Sequence, residues 1–243
     1  MPVAIVTGSS TGIGRAIAVR LSRSHSVVVN ARSDADGAKR TCHEITEAGG
    51  RAEFVVADAS TDAGAADIME FAGAKFGSPD VLVNNAGATR PASFGEWNAA
   101  HWADMLSNNL TSCALMSQAF ARSRDAGRGS IINLSSIRGS ERYSRIGVAA
   151  YSAAKAGVIS LTSVLARELA PEITVNCISP GFVATDYLNR AYPALREVWL
   201  RSMPISRFVE PSEVAEAAAW LVDQRAITGA NLVIDGGWTV TAT

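Results

Sequence analysis

The chain has 243 residues, of which 48% are hydrophobic, and this length suits one α/β domain with a large core. Its 22 basic and 23 acidic residues leave a formal charge of -1, so no overall field favours nucleic acid or an anionic membrane over a small ligand. We therefore expect a single domain over residues 1–243 that has neither a nucleic-acid partner nor a membrane partner.

The cysteines and the start of the chain bear on the compartment. Cys42, Cys113 and Cys177 are widely spaced and lack the spacing of a zinc site or a disulfide framework. The residues from Met1 to Thr7 lead into an apolar stretch without a basic region and cleavage site, and no apolar run reaches transmembrane length. We expect a soluble protein of the reducing cytoplasm, without a metal ion.

Short runs rich in β-branched residues alternate with longer stretches of helical period. The predicted strands are Val3–Val6, Val27–Asn30, Ala52–Ala57, Val81–Asn84, Ser130–Leu134, Ile173–Ile178 and Leu232–Ile234. Strands separated by helices form βαβ units, which build a parallel sheet with right-handed crossovers. The predicted fold class is α/β, a single doubly wound domain with a seven-stranded parallel sheet and helices on both faces.

One long helix is predicted from about Ala149 to Ala170, and its apolar residues are not confined to one face. A helix that is apolar nearly all round must be covered on two sides. The sheet can cover one side, and either a partner subunit or a neighbouring loop can cover the other. We expect the partner subunit.

A glycine-rich loop, TGSSTGIG at residues 7–14, follows the first predicted strand and opens the first predicted helix. In this position Gly8 allows a tight turn, Gly12 lets the backbone approach a pyrophosphate, and Gly14 lets the helix pack closely on the strand. Unpaired N–H groups at the helix start attract phosphate. An ordinary glycine-rich turn is the alternative, but the position in the chain favours a dinucleotide site.

The GxxxGxG spacing of this loop resembles the short-chain dehydrogenase/reductase family. The later motifs follow in the family's order, and they are NNAG at 84–87, Ser136, YSAAK at 151–155, PG at 180–181 and DGG at 235–237. The resemblance covers essentially the whole chain and is closest in pattern to members like 3-oxoacyl-carrier-protein reductase. It implies a Rossmann fold and an oxidoreductase that transfers a hydride between a nicotinamide cofactor and a carbonyl/alcohol pair.

Reduction of a carbonyl leaves negative charge on oxygen, so the site needs a proton donor and a polarising group. Tyr151 can donate a proton, but a phenol of ordinary pKa, about 10, needs a nearby cation to cycle that proton at neutral pH. Lys155 lies four residues further on and projects from the same helix face. A lone YxxxK pair is as easily a surface pair, and its place after a dinucleotide loop favours catalysis.

The resemblance assigns four catalytic residues. It makes Tyr151 the general acid/base, Lys155 the residue that lowers its pKa and holds the nicotinamide ribose, and Ser136 the hydrogen-bond partner of the substrate oxygen. Asn109 would complete the tetrad through a bound water. Both Ser136 and Asn109 follow a residue of their own type, and the family pattern favours the second residue of each pair.

The end of the second strand indicates which nicotinamide binds. NAD users place an acidic residue there for the ribose 2′-OH, and Ala31 occupies that place. An acid would repel a 2′-phosphate, whereas Arg32 and Ser33 can bind one. Arg32 as a plain surface charge is the alternative, and Thr11 stands where some relatives carry a second basic residue. We expect NADP(H).

The resemblance assigns the remaining cofactor contacts. Asp58 would bind the adenine amino group and Thr185 the nicotinamide carboxamide, although Asp58 could instead cap the next helix and Thr185 could be a turn residue. Asn85 and Gly87 would lie near the adenosine ribose. The expected cofactor contacts are Gly8, Ser10, Gly12, Ile13, Gly14, Arg32, Ser33, Asp58, Asn85, Ala86, Gly87, Tyr151, Lys155, Pro180, Gly181, Val183 and Thr185.

The motifs identify the substrate less specifically than the cofactor, because relatives of this pattern reduce acyl thioesters, sugars or other ketones. We expect a small-molecule or acyl-thioester carbonyl substrate. The segment between Ser136 and Tyr151 is a couple of residues longer than in many relatives and holds Arg138, Arg142 and Arg145, which could accept an anionic substrate or remain solvated.

Two further expectations come from the family. A substrate lid should span about residues 186–205, where Tyr192 and Trp199 either contact substrate or pack the lid down. The helix that begins near Tyr151 and the helix that bears Asn109 commonly pair across a two-fold axis, so we expect a homotetramer. A catalytically silent NADP-binding sensor is the rival function, but such relatives typically lose the tyrosine or the lysine.

Overall fold

The computed structural model describes residues 1–124, 127–186, 188 and 196–241. The described strands are β1 (Val3–Val6), β2 (Ser26–Ala31), β3 (Arg51–Val56), β4 (Val81–Asn84), β5 (Gly129–Leu134), β6 (Ile173–Pro180) and β7 (Asn231–Ile234). They form one sheet in the order β3-β2-β1-β4-β5-β6-β7, and every neighbouring pair is parallel. The predicted seven-stranded parallel sheet is confirmed, with strand ends that shift by one or two residues.

The described helices connect these strands. They are α1 (Gly12–Leu21), α2 (Ala35–Glu47), α3 (Asp62–Phe76), α4 (Ala99–Leu106), α5 (Ser112–Arg122), α6 (Ala149–Glu168), α7 (Arg196–Arg201), α8 (Pro211–Asp223) and α9 (Trp238–Thr241). Helix α4 continues through a π turn at Ser107–Thr111 into α5. The helix predicted to reach Ala170 ends at Glu168, with Leu169 as its C-cap.

Both faces of the sheet are covered by helices. In β1, Ala4 and Val6 pack into one hydrophobic core with residues of α1, α2 and α8, whereas Ile5 packs into a second core with residues of α3, α5 and α6. Every residue of β1, β2, β4, β5 and β6 is buried. This double burial explains why β1, β2 and β4 are mostly apolar along their length instead of alternating between apolar and polar residues.

The direction of the chain places a crevice at the carboxyl ends of the strands. Strand β1 pairs with β2 on one side and with β4 on the other, so the connections from β1 and β4 leave toward opposite faces. Ligands of doubly wound sheets bind at such a reversal of strand order. The loops after β1, β4, β5 and β6 carry the motifs singled out in the sequence.

Helix α6 combines a buried and an uncovered face. Among the described helices, α6 is the one whose length and hydropathy would allow it to cross a membrane. It nevertheless packs against β6 and buries Ala154, Lys155 and Val158. Its other face includes Val164, which is 47% exposed, and the exposed Ala156. A single chain therefore leaves part of the apolar surface of α6 uncovered.

Candidate active site

The glycine-rich loop leaves β1 in a backbone conformation that suits glycine. Gly8 and Gly12 have φ of 60° and 57°, in the left-handed region. At Gly14 a Cβ would come within 2.3 Å of Asn85 Nδ2 and within 2.5 Å of the Gly8 carbonyl oxygen. A side chain at position 14 would therefore push the loop away from the loop that follows β4.

Side chains from β1 and from the loop after β4 hold this turn in place. The Asn85 amide nitrogen donates to the carbonyl oxygens of Thr7 and Gly8, both at 2.9 Å. The Thr7 hydroxyl oxygen accepts the backbone N–H groups of Asn85 and Ala86, both at 3.0 Å. The side-chain amide of Asn85 therefore donates its hydrogen bonds to the glycine-rich loop. Sequence reasoning missed the part played by Thr7, whose signal is its place directly before the first glycine.

The start of α1 lacks the side-chain cap that α2 and α3 possess. Asp34 and Thr61 accept backbone N–H groups at the starts of α2 and α3, but Thr11 makes no such bond at the start of α1, where the first turn holds no acidic residue. The first N–H groups of a helix have no partner within the helix. Here they face a cavity, which is the arrangement that binds phosphate.

A cavity of about 820 Å³ begins at this loop, and we call it the larger cavity. Its volume is in the range of small-molecule and cofactor sites. Of the expected residues it is lined by Gly8, Gly12, Ile13, Gly14, Asn85, Gly87, Asn109, Tyr151, Lys155, Pro180 and Thr185. A Cβ at Gly12 would project to 3.6 Å from Thr185 Cγ2, so a side chain there would fill space between the loop and Thr185. The loop, the uncapped helix start and this space fit a dinucleotide.

A smaller cavity of about 110 Å³ adjoins the larger one. Ser136 and Gly181 line the smaller cavity, whereas Tyr151 and Thr89 line both. The Tyr151 side chain therefore stands between a space large enough for a cofactor and a second space beside it. This is the position that a group exchanging a proton with a substrate oxygen requires.

Some expected cofactor contacts line neither of these two cavities. They are Ser10, Arg32, Ser33, Asp58, Ala86 and Val183. Val183 is only 6% exposed and forms an isolated parallel bridge with Val209, whereas Arg32 and Ser33 are exposed just beyond the end of β2.

Arg32 belongs to a chain of polar contacts that reaches across the site. Its Nη1 donates to Asn108 Oδ1 at 2.5 Å, and Asn108 Nδ2 donates to the Asp104 carbonyl oxygen at 2.8 Å and to Asp104 Oδ1 at 2.7 Å. Arg90 forms an ion pair with the same carboxylate at 3.1 Å. Because both donor bonds fix the Asn108 amide, its oxygen must face Arg32. Sequence reasoning set Asn108 aside in favour of its neighbour and missed this contact.

The cofactor roles expected for Asp58 and Thr185 can be compared with the alternatives, which were a helix cap for Asp58 and a turn residue for Thr185. The Asp58 carboxylate accepts the backbone N–H and the hydroxyl of Ser60, and α3 is capped by Thr61, so the N-cap alternative for Asp58 is wrong. Burial raises the pKa of Asp58, but the hydrogen bonds from Ser60 and the charge of Arg32 outweigh it and lower the pKa below its usual value. Thr185 lines the larger cavity and also accepts the Leu188 N–H at 3.3 Å, as a turn residue would.

Lys155 lies behind Tyr151 with its ammonium almost out of solvent. The side chain is 5% exposed, Nζ donates to the Leu134 carbonyl oxygen at 2.8 Å, and Nζ lies 5.8 Å from the centroid of the Tyr151 ring. Burial lowers the pKa of Lys155 from 10.5 to about 8, while the nearby Cys113 and Cys177 oppose this shift. The site thus holds a lysine cation next to the Tyr151 phenol, and burial brings the pKa of that lysine close to neutral pH.

The two serines after β5 have different surroundings. Ser135 Oγ donates to the Lys155 carbonyl oxygen at 2.7 Å and is buried, so it ties β5 to α6. Ser136 Oγ accepts the Arg138 backbone N–H at 3.1 Å and lines the smaller cavity together with Tyr151. Ser135 lines the larger cavity, whereas Ser136 is the serine of this pair that shares the smaller cavity with Tyr151, where a substrate oxygen could contact it.

Asn109 lies in the π turn between α4 and α5, a type of helix distortion that is frequent at functional sites. Its Nδ2 donates to the carbonyl oxygens of Ala88 and Met105 at 2.8 and 2.9 Å, and its Oδ1 accepts the Ala88 N–H at 3.2 Å. A Cβ at Gly87 would lie 2.6 Å from Asn109 Oδ1 and 3.4 Å from Lys155 Nζ. Asn109 therefore ties the loop after β4 to the helix, at a point next to Lys155.

Part of the expected lid can be described. Residues 187 and 189–195, which include Tyr192, lie outside the described residues. Asp186 lines the larger cavity, and Trp199 lines the smaller one, where its ring stacks on Phe182 with centroids 4.6 Å apart. Trp199 therefore packs against Phe182 and also faces the smaller cavity.

This fold and this site define a dinucleotide-dependent oxidoreductase. The sequence profile of a family described as enoyl-(acyl carrier protein) reductase matches residues 8–239. The chain belongs to the short-chain dehydrogenase/reductase family, whose members act on CH–OH/C=O pairs.

Three comparisons illustrate the likeness. The chain is 36% identical over 239 residues to the 3-oxoacyl-[acyl-carrier-protein] reductase of Pseudomonas aeruginosa, covering 97% of this chain and 96% of the relative. It is 38% identical over 242 residues to the cis-4-hydroxycyclohexanecarboxylate dehydrogenase of Sinomonas cyclohexanicum, covering 98% and 96%. A short-chain dehydrogenase from Burkholderia cenocepacia in complex with NADP superimposes with a TM-score of 0.90 at 34% identity, covering 97% of each chain.

Proposed function

We propose that the protein transfers a hydride between NADP(H) and a carbonyl/alcohol substrate, with Tyr151 as the proton-exchanging group. The single observation that carries this proposal is that Tyr151 lines both cavities, with the Lys155 ammonium 5.8 Å from its ring centroid. The cofactor is NADP(H), which the similar dehydrogenase from Burkholderia cenocepacia holds in its structure.

The larger cavity suits the cofactor and the smaller cavity the substrate. The N–H groups at the start of α1 would bind the pyrophosphate, and the charge of Arg32, aimed by Asn108, would bind the 2′-phosphate. Ala31 supports this choice of cofactor. It is buried and uncharged, whereas an acidic residue at the same position would repel the 2′-phosphate. The other expected contacts, among them Thr185 and Asp58, keep the roles given by the family resemblance.

In the reduction direction the residues of this chain handle the proton and the developing charge. When bound, NADPH supplies the hydride that the carbonyl carbon accepts. Ser136 would hydrogen-bond the substrate oxygen, and Tyr151 would transfer its phenolic proton to that oxygen as charge develops. The Lys155 ammonium would stabilise the phenolate left behind, and Asn109 would hold the loop after β4 in place beside Lys155.

The partners and compartment extend the proposal. The reductase from Pseudomonas aeruginosa acts on an acyl thioester, and we keep an acyl thioester and a small ketone or sugar as the two substrate classes. The uncovered face of α6, with Ala156 and Val164, supports a homotetramer of single-domain chains. The described cysteines, Cys42, Cys113 and Cys177, are free thiols, which suits a cytoplasmic protein.

The test is NADPH oxidation, followed by absorbance, over a panel of β-oxoacyl thioesters, ketoses and aromatic ketones. We expect turnover with at least one class, and turnover that is about 10²- to 10⁴-fold lower in Tyr151→Phe. The rival is a silent NADP-binding sensor, which would bind NADPH and leave every carbonyl and alcohol unchanged. Binding without turnover across the panel would replace our proposal with the sensor.

A further inference from the structure

Thr89 lies at the boundary between the larger and the smaller cavity. Of the described residues that line these cavities, only Thr89 and Tyr151 line both. Tyr151 is the group that exchanges a proton with the substrate in the function proposed above. A second polar side chain at the same boundary therefore lies beside the space in which cofactor and substrate must meet.

The Thr89 hydroxyl has hydrogen-bonding capacity that the described part of the fold does not use. Its Oγ1 is shielded from solvent and has no hydrogen-bond partner among the described residues. Buried polar atoms of native proteins nearly always have a partner, which can be protein, water or ligand. The methyl and the hydroxyl of a threonine exchange places by rotation about the Cα–Cβ bond, so the hydroxyl can turn toward a neighbour that offers a partner.

The backbone on both sides of Thr89 is held by side-chain contacts. The Asn109 side chain accepts the Ala88 N–H at 3.2 Å and donates to the Ala88 carbonyl oxygen at 2.8 Å. On the other side of Thr89, the Arg90 guanidinium forms an ion pair with the Asp104 carboxylate at 3.1 Å. Asp104 belongs to α4 and Asn109 to the π turn that follows it. Thr89 therefore has a defined backbone position beside the reacting groups, as a residue that orients a substrate requires.

Building on the function proposed above, we propose that the Thr89 hydroxyl hydrogen-bonds a second oxygen of the substrate, close to the carbonyl that faces Ser136 and Tyr151. Thr89 then makes the enzyme selective for oxygenated carbonyl compounds over plain ketones of the same size. A β-oxoacyl compound offers the oxygen of its ester or thioester carbonyl, and a hydroxyketone or sugar offers a neighbouring hydroxyl. A threonine hydroxyl can donate to the first and accept from the second, so it suits both.

The experiment compares two matched pairs of substrates with NADPH. Ethyl acetoacetate is paired with 2-heptanone, and hydroxyacetone is paired with 2-butanone. The members of a pair have the same chain length, and only the first member carries the second oxygen. Because each substrate is compared between wild type and variant, the different intrinsic reactivities of the carbonyls cancel.

Thr89→Val replaces the hydroxyl by a methyl group of similar size. We expect it to lower kcat/KM roughly 5- to 100-fold for the oxygenated member of at least one pair and to leave the plain ketone within about threefold, because the second oxygen is then buried without a partner. Thr89→Ser keeps the hydroxyl and should keep the preference of the wild type. The pair that responds shows whether the second oxygen is that of an ester or of a hydroxyl.

Thermal stability separates this role from a structural one. Because the described fold gives the Thr89 hydroxyl no partner, Thr89→Val should leave the Tm of the cofactor-free protein unchanged or raise it by up to about 4 °C. The matched control is Thr162→Val, since the buried Thr162 hydroxyl accepts from Asn133 Nδ2 at 2.9 Å and donates to the Val158 carbonyl oxygen at 2.8 Å. This control should lower the Tm and change both members of a substrate pair by the same factor. A Tm of Thr89→Val as low as that of Thr162→Val would show that the Thr89 hydroxyl stabilises the fold, and would overturn the inference.

Binding measurements separate this inference from the proposed function. Isothermal titration calorimetry in the presence of NADP⁺, which cannot reduce a carbonyl, gives the affinity for each member of the two pairs. Tighter binding of the oxygenated member of a pair, lost in Thr89→Val, would support the inference even if no turnover is seen. Equal binding within both pairs, no binding in either, or a kcat/KM loss that is the same for both members of each pair would overturn it, whatever the NADPH oxidation panel shows. A lower NADP⁺ affinity of Thr89→Val would place the hydroxyl on the cofactor and would overturn it as well.

Discussion

Replacing the buried lysine should change how stability depends on pH. The unfolded chain keeps the ordinary lysine pKa of 10.5, while burial lowers the pKa of Lys155 in the fold to about 8. Between these values the unfolded state binds more protons, so the contribution of Lys155 to stability rises with pH. At one pKa unit per 1.36 kcal/mol, the buried ammonium costs about 3 kcal/mol near pH 7.

Lys155→Met removes that titration from the protein. Met fills the same space without a charge, although it leaves the Leu134 carbonyl oxygen without its donor, a loss of about 1 to 3 kcal/mol. The absolute stability of the variant is therefore a balance of two similar terms. The pH dependence of stability does not suffer from this balance. Only the free energy of unfolding of the wild type rises, by about 2 kcal/mol, between about pH 7 and pH 9.5.

The assay is thermal unfolding of the cofactor-free protein by circular dichroism at several pH values and one protein concentration. A gain of about 2 kcal/mol corresponds to a shift of roughly 4 to 8 °C in the Tm difference between wild type and variant. Burial raises the pKa of Cys113 to about 12 and that of Cys177 to about 11, but both thiols are present in both proteins and cancel in the difference.

Lys39→Met is the control, since this lysine side chain is 62% exposed and its replacement should leave the Tm difference from wild type flat over the same pH values. If the curves of Lys155→Met and wild type run parallel over this range, Lys155 titrates in the fold as it does in the unfolded chain. The reasoning from burial would then be wrong.

The remaining predictions concern the proton, the cofactor and the assembly. Tyr151→Phe should lower turnover about 10²- to 10⁴-fold while NADPH affinity, measured by fluorescence titration, stays nearly intact; near-normal turnover would remove Tyr151 from the mechanism. Arg32→Ala should weaken NADPH roughly 10- to 100-fold and NADH much less, since a charge-assisted hydrogen bond is lost, and Asn108→Ala should act in the same direction more weakly because it only frees the guanidinium. If the affinities for NADPH and NADH fall equally, Arg32 does not bind the 2′-phosphate and is a surface charge only. Ala31→Asp should move kcat/KM toward NADH by repelling the 2′-phosphate, and an unchanged ratio would contradict its placement. Light scattering at micromolar concentration should give the mass of a tetramer; a monomer would show that the apolar face of α6 needs no partner.

The sequence by itself determined the sheet and the identity of the motif loops. The apolar run Val27–Val29 is typical of a strand covered on two faces, and runs of this kind are why strand positions were predicted to within a residue or two. The glycine spacing at residues 7–14 similarly follows from backbone geometry, because Gly8 and Gly12 adopt left-handed φ. These features are local, so local residue types suffice to reveal them.

Only the tertiary structure decided which side chains meet. Arg32 and Asn108 are 76 positions apart, and no pattern in either segment signals their hydrogen bond. The pKa of Lys155 depends on burial beneath elements that are distant in the chain, and the smaller cavity brings Thr89 together with Arg145. Such contacts depend on how helices and loops pack around the sheet, and packing joins residues whose spacing along the chain carries no record of their distance in space.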